Sequence, residues 1–207
     1  MLSVFYSNVP PRHGGAGDYL EYLLSHKKYD EVITPELGSR FWKITIIPNL
    51  LKVYFLVLFY NVEITLYHPQ TLGYLNCYFL LNFSKRTNIY FVDTAFFCKS
   101  SYNVYNKNNC VRCLHQFQPL AVCRFSPAPS NNFSYGLFLT KCSEMHKEIT
   151  FIVQTQGYKR LLQEKYGAQT QVKIEKMITK DLLVDPVVHM PVLKYDVAFH
   201  GSCIVSW

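Results

Sequence analysis

Short runs of apolar and β-branched residues recur along this 207-residue chain, with helix-like stretches between them. Residues 2–7 (LSVFYS), 31–34 (EVIT), 62–67 (VEITLY), 88–97 (NIYFVDTAFF) and 149–154 (ITFIVQ) each read as a buried strand. A weaker alternation over 172–177 gives a sixth. Between them, a periodic segment starts at Asp18 and offers Leu20, Tyr22, Leu23 and Leu24 as one apolar face. Residues 72–83, 135–148 and 158–166 also read as helices, the last closed by Gly167 as a C-cap. Strands alternating with helices pack as a sheet covered by helices. The expected fold is α/β: a Rossmann-like, doubly wound, mostly parallel sheet with a Cys-rich loop inserted at 98–129. Residues 1–185 form this domain; the Pro-bearing stretch 179–191 suits a linker or crossover, and 186–207 hold the linker and one further strand.

Residues 44–60 (ITIIPNLLKVYFLVLFY) are the most apolar stretch. At this length, with Pro48, Asn49 and Lys52 inside it, a helix from about Asn49 buried against a sheet is favoured over a membrane span. An interfacial helix is the second reading. The chain is 49% hydrophobic but carries a net charge of +7, which together suit a membrane surface or a phosphate-bearing substrate. Its basic residues are scattered, with no nucleic-acid-binding motif among them.

In open α/β sheets, ligands bind beyond the carboxyl ends of the strands. Three expected strand ends carry chemistry. After the first come His13 and the glycines Gly14, Gly15 and Gly17, which permit a tight turn and close approach of backbone to a ligand. After the third come His68, Pro69, Gln70 and Thr71, and Asp93 lies near the end of the fourth. Parallel topology puts His13, His68 and Asp93 on one rim.

Four of the seven cysteines, Cys98, Cys110, Cys113 and Cys123, follow the fourth strand with the spacing C-x11-C-x2-C-x9-C, and the stretch reads as an irregular loop. Four thiolates can hold Zn²⁺ tetrahedrally, the close pair acting as the chelating half. Free thiols, or an iron–sulfur or redox role, remain open. An odd cysteine count with no secretory signal predicts a reducing compartment.

The order of these pieces resembles the N-terminal domain of a GT-B glycosyltransferase of the family 4 type, found in bacterial capsule and O-antigen clusters. The residues that carry the resemblance are His13-Gly14-Gly15-Ala16-Gly17, His68-Pro69-Gln70-Thr71, the strand end at Asp93, and VQTQGYKRLLQEKYG over 153–167. KYDVAFHGS at 194–202 resembles the first strand of that family's second domain. The resemblance implies that a nucleotide-sugar donor binds the second domain, of which only this first strand is seen, so the chain alone is expected to be inactive. It further implies an acceptor site with catalytic Asp93, His13 and His68, and substrate-binding Gly14, Gly15, Gly17, Gln70 and Thr71. The expected reaction moves a sugar to a lipid-linked saccharide, in the cytoplasm at the inner face of the plasma membrane. No cofactor is implied beyond a structural zinc, and a separate donor-domain chain is an expected partner. The alternative is a non-catalytic, zinc-stapled α/β binding module.

Overall fold

The computed structural model describes residues 1–11, 14–35, 45–92, 104–105, 108–109 and 130–175. In chain order these form β1 (Leu2–Ser7), α1 (Gly14–His26), β2 (Glu31–Ile33), α2 (Ile46–Phe59), β3 (Val62–Tyr67), α3 (Pro69–Leu72) and α4 (Tyr74–Phe83). There follow β4 (Arg86–Phe91), the short pair β5 (Val104–Tyr105) and β6 (Asn108–Asn109), α5 (Ser130–Glu144), β7 (Ile149–Val153), α6 (Gln156–Tyr166) and β8 (Gln171–Ile174). Six strands make one sheet in the order β2-β1-β3-β4-β7-β8. Every pairing within it is parallel, so the chain folds as a Rossmann-like α/β domain.

Three expected boundaries shift. α1 begins at Gly14 and not at Asp18, so the glycine run forms the helix's first turn. α2 begins at Ile46, because Pro48 falls in the first turn, where its missing N–H would have no partner anyway. The Cys-rich stretch, expected to be irregular, contains the antiparallel pair β5–β6. The linker and everything from residue 176 onward lie outside the described residues.

The strand order dictates where the helices go. A crossover between parallel strands is right-handed, so its direction along the sheet selects the face. Only the β1–α1–β2 connection runs one way; the others run the opposite way. Among the described helices α1 alone therefore packs on one face, through Tyr19, Leu20 and Leu23 against Phe5, Tyr67, Tyr90 and Ile152. The other face is covered by α2, α4, α5 and α6, which bury Val57, Leu80, Phe138 and Leu162 against Tyr6, Leu66, Ile89 and Phe151.

One helix does not cover a six-stranded face. Beside the C-terminal end of α1 the sheet is left as an open polar trough of about 400 Å³, floored by Glu63, Thr65, Asn88 and Thr150. All-parallel sheets are ordinarily covered on both faces. Among the described residues this part of the face carries polar side chains. Asn88 Nδ2 donates to Glu63 at 2.9 Å, and Lys27 reaches from the end of α1 to both carboxylate oxygens of Glu175, at 2.5 and 2.6 Å. Lys27 Nζ also donates to the Tyr90 hydroxyl at 2.6 Å, and that hydroxyl donates to Glu175 at 2.8 Å. Burial pushes the Glu175 carboxyl up, but the hydrogen bonds from Lys27, Lys173 and Tyr90 outweigh it and leave it below the ordinary value. Burial drives the Tyr90 hydroxyl far above the usual tyrosine range, with Tyr29 and Glu175 adding to the shift.

On the covered face, Lys165 of α6 sits over the Tyr166 ring at 5.3 Å. Burial drives its ammonium down to about 8, against a weaker opposing influence of Cys142. Between pH 8 and the ordinary lysine value of 10.5 the unfolded chain therefore holds more protons than the folded one. Stability should rise with pH across that window, by about 1–2 kcal/mol after allowance for solvent screening. K165M should flatten this rise and be the more stable protein at pH 7. Urea titrations of both proteins at a series of pH values check it, since tyrosine ionisation is common to the two.

Candidate functional site

The strand order reverses at the β1–β3 boundary, where neighbouring connections leave toward opposite faces, the place where open α/β sheets carry their ligand crevice. Three chain segments meet there. Ser7 and Asn8 end β1. The Ser7 hydroxyl oxygen accepts from the Val9 N–H at 2.9 Å and its O–H donates to the Val9 carbonyl at 3.2 Å, which fixes Asn8 between them. Asn8 is buried, and its Nδ2 donates to the Thr71 carbonyl at 3.1 Å. Its Oδ1 is buried with no hydrogen-bond partner among the described residues. The Tyr67 hydroxyl donates to the Ala16 carbonyl at 2.6 Å and so ties the end of β3 to the first turn of α1.

That first turn reads Gly14-Gly15-Ala16-Gly17 and holds no acidic residue. Its free N–H groups and the positive end of the helix dipole suit an anion or a sugar hydroxyl. Gly17 is buried, as expected of a helix start held close to a strand end.

The end of β3 holds the main irregularity of the backbone. His68 lies in the left-handed region, at φ 57° and ψ 69°, and is the sole non-glycine residue with positive φ among the described residues. A side chain there costs about 1–2 kcal/mol. Pro69 adds to the strain, since a residue before proline is pushed toward extended backbone. The conformation is held by α3: the His68 carbonyl accepts from the Thr71 N–H at 3.0 Å and from the Thr71 hydroxyl at 2.9 Å. The His68 ring Nδ1 lies 3.3 Å from the same hydroxyl oxygen. Gln70 and Thr71 are exposed beside it. Gly73, at φ 87°, then turns the chain from α3 into α4.

Strain of this kind is retained where the position serves a function. H68G relieves it, less the entropy that glycine loses on folding. The variant should be more stable than the parent by about 0.5–1 kcal/mol by urea denaturation, while any ligand held by the imidazole binds more weakly. A stability loss instead would show that the His68 side chain holds the loop.

The Asn8–Thr71 and Tyr67–Ala16 hydrogen bonds thus set His68, Gln70 and Thr71 and the glycine-bearing start of α1 at neighbouring strand ends. The strand ends at Ser7, Tyr67 and Tyr90 stand side by side in register. His13 and Asp93 lie outside the described residues, and so do the four proposed metal ligands Cys98, Cys110, Cys113 and Cys123. Among the described residues no group of three or more metal-ligating side chains occurs. The described cysteines, Cys77 and Cys142, are buried and free, and burial pushes both thiols well above their usual value.

Two residues at the strand ends were not singled out from the sequence. Asn8 is one. Gln154, directly after β7, is the other, with a buried Nε2 that has no partner among the described residues. Both are amides immediately following an apolar strand, and that pattern was available in the sequence. Thr155 beside Gln154 caps α6, accepting from the Tyr158 N–H at 3.2 Å.

Comparison with protein-family models, with curated proteins and with solved structures gives no match to this chain.

Proposed function

We propose that this chain is the acceptor-side domain of a GT-B glycosyltransferase, which takes a sugar from a nucleotide-sugar donor and places it on a lipid-linked saccharide in surface polysaccharide synthesis. The observation that carries the reading is His68, held in strained left-handed backbone at the end of β3, whose Tyr67 is bonded to the glycine-rich opening of α1. The crevice offers what a saccharide needs. Backbone N–H groups of the first helical turn donate to hydroxyls or phosphate, and an imidazole and a threonine hydroxyl stand beside them. The unpartnered Asn8 carbonyl oxygen gives the crevice a buried acceptor at its base.

In this reading the acceptor hydroxyl attacks the anomeric carbon of the donor sugar, and the nucleotide diphosphate departs with the bonding electrons. Asp93 polarises the attacking hydroxyl and takes its proton. His13 and His68 orient the saccharide, a proximity role. The negative charge of the leaving diphosphate is met by basic groups on a second α/β domain, so donor binding belongs to that domain or to a partner chain.

The test is NMR titration of the ¹⁵N-labelled 207-residue chain. The probes are short-chain polyprenyl-diphosphate glycans on one side and a panel of nucleotide sugars on the other. The expected result is that glycans shift the amide resonances of Asn8, Ala16, Gly17 and Thr71 while nucleotide sugars do not, with no transfer of radiolabelled sugar. Transfer by the isolated chain would refute the division of labour. Absence of any shift at the strand ends would refute the acceptor site.

A further inference from the structure

A helix lying on a sheet normally turns an apolar stripe inward and a polar face to water. α2 does not. Val53 and Val57 face the core, yet Ile47, Leu51, Phe55 and Phe59 form a second apolar stripe on the outside at four-residue spacing. Leu51 is 64% exposed, Phe55 53% and Phe59 72%. α4 repeats the pattern: Cys77, Leu80 and Leu81 are buried, while Leu75, Phe79 and Phe83 point outward. The two helices are neighbours on the same sheet face, and right-handed crossovers make them parallel. Their outer stripes therefore lie side by side in one plane. Contiguous exposed apolar surface of this kind marks an interaction site.

The charges around it select the occupant. Neither helix contains an acidic residue. Among the described residues the cations nearby are Lys52 within α2 and the exposed pair Lys85 and Arg86, which follow α4 after its C-cap Ser84. Lys52 is held by Glu31, the one carboxylate paired to this face among the described residues. A second copy docking here about a two-fold axis would oppose cations to cations, with no spare carboxylate among the described residues of this face to meet them. An anionic bilayer surface meets both features at once, with apolar side chains entering the acyl boundary and Lys85 and Arg86 lying among the headgroups. No described helix is long and apolar enough to cross a membrane, so the contact is in the plane.

We propose that the outer face of α2 and α4 is a docking surface for anionic phospholipid bilayers. The inference rests on the proposed function only for its purpose, the delivery of the domain to a lipid-linked acceptor.

The experiment is sedimentation of the full chain with phosphatidylcholine vesicles, with and without phosphatidylglycerol. Binding is expected to be stronger on the anionic vesicles and to weaken in high salt. L51E/F55E should reduce the partition coefficient at least about tenfold. K85S/R86S should remove the preference for phosphatidylglycerol. All four positions are exposed, so the urea midpoints of these variants should match the parent. Should L51E/F55E fail to fold, F55W supplies the same answer, since brominated lipids should quench the emission it adds over the parent. Three results overturn the proposal: no sedimentation with either vesicle, parent-like binding by the variants, or a lipid-free dimer that L51E/F55E dissolves. The vesicles carry no saccharide, so a failure here leaves the glycan titration standing, and the reverse.

Discussion

F151A should lose about 3–5 kcal/mol of stability, the largest single-residue effect expected in this fold. Phe151 lies in β7, is fully buried, and stacks on Tyr166 of α6 with ring centroids 5.7 Å apart and planes 9° from parallel. Its neighbours across the sheet are Ile89 on one side and Val172 on the other. Truncation removes contacts from two strands and a helix at once, and the close-packed surroundings collapse only in part. A domain of this size holds about 5–15 kcal/mol in total. The variant should therefore unfold at a much lower urea midpoint with an unchanged slope. F151L should cost less than about 1.5 kcal/mol. If F151A shifts the midpoint no more than F151L does, β7 is not packed as described.

K27M should be the next most costly change, at about 2 kcal/mol. Lys27 is the cation of the Lys27–Tyr90–Glu175 cluster, and the Glu175 side chain is only 14% exposed. Removing Lys27 leaves a carboxylate in a largely desolvated place with Lys173, at 2.9 Å, as its remaining cation. Partial exposure of Lys27 keeps the loss below that of a fully buried pair. Adding E175Q to K27M should restore much of the stability, which a simple packing defect at residue 27 would not allow.

The pH dependence has a definite sign. Glu175 holds its carboxyl below the ordinary value of 4.5 in the folded state, so the unfolded chain binds more protons just beneath that pH. Its contribution is full above about 4.5 and is lost as pH falls through the folded value. K27M should show a shallower loss in that acid range. An equal slope in both proteins would rule out Lys27 as the source of the depression.

The strands were legible because buried parallel strands are short apolar runs. β1 and β3 begin and end where their composition says, at Leu2–Ser7 and Val62–Tyr67. Helix starts were less so. Gly14, Gly15 and Gly17 are poor helix formers, yet the start of α1 is fixed by contacts such as that of Tyr67 with Ala16, which no local propensity contains. β4 starts two residues before the apolar run, because Arg86 pairs with Glu63 on the neighbouring strand. Within the crevice, His68 and Thr71 followed from their position after a strand. The left-handed backbone of His68 and the unsatisfied oxygen of Asn8 depend on tertiary contacts, and the sequence carries no direct mark of either. The outward stripe of α2 was visible as excess hydrophobicity. Which half faced the core became clear only from the sheet beneath it.

The uneven placement of helices also bears on how the chain is assembled during synthesis. After β3, each strand pairs with the one before it, in the order β4, β7, β8. A nascent chain that has emerged as far as Phe91 already owns four adjacent strands, β2-β1-β3-β4. Later strands add at a growing edge and never have to insert between finished ones. The ribosome thus delivers this sheet in close to its final order, one neighbour at a time.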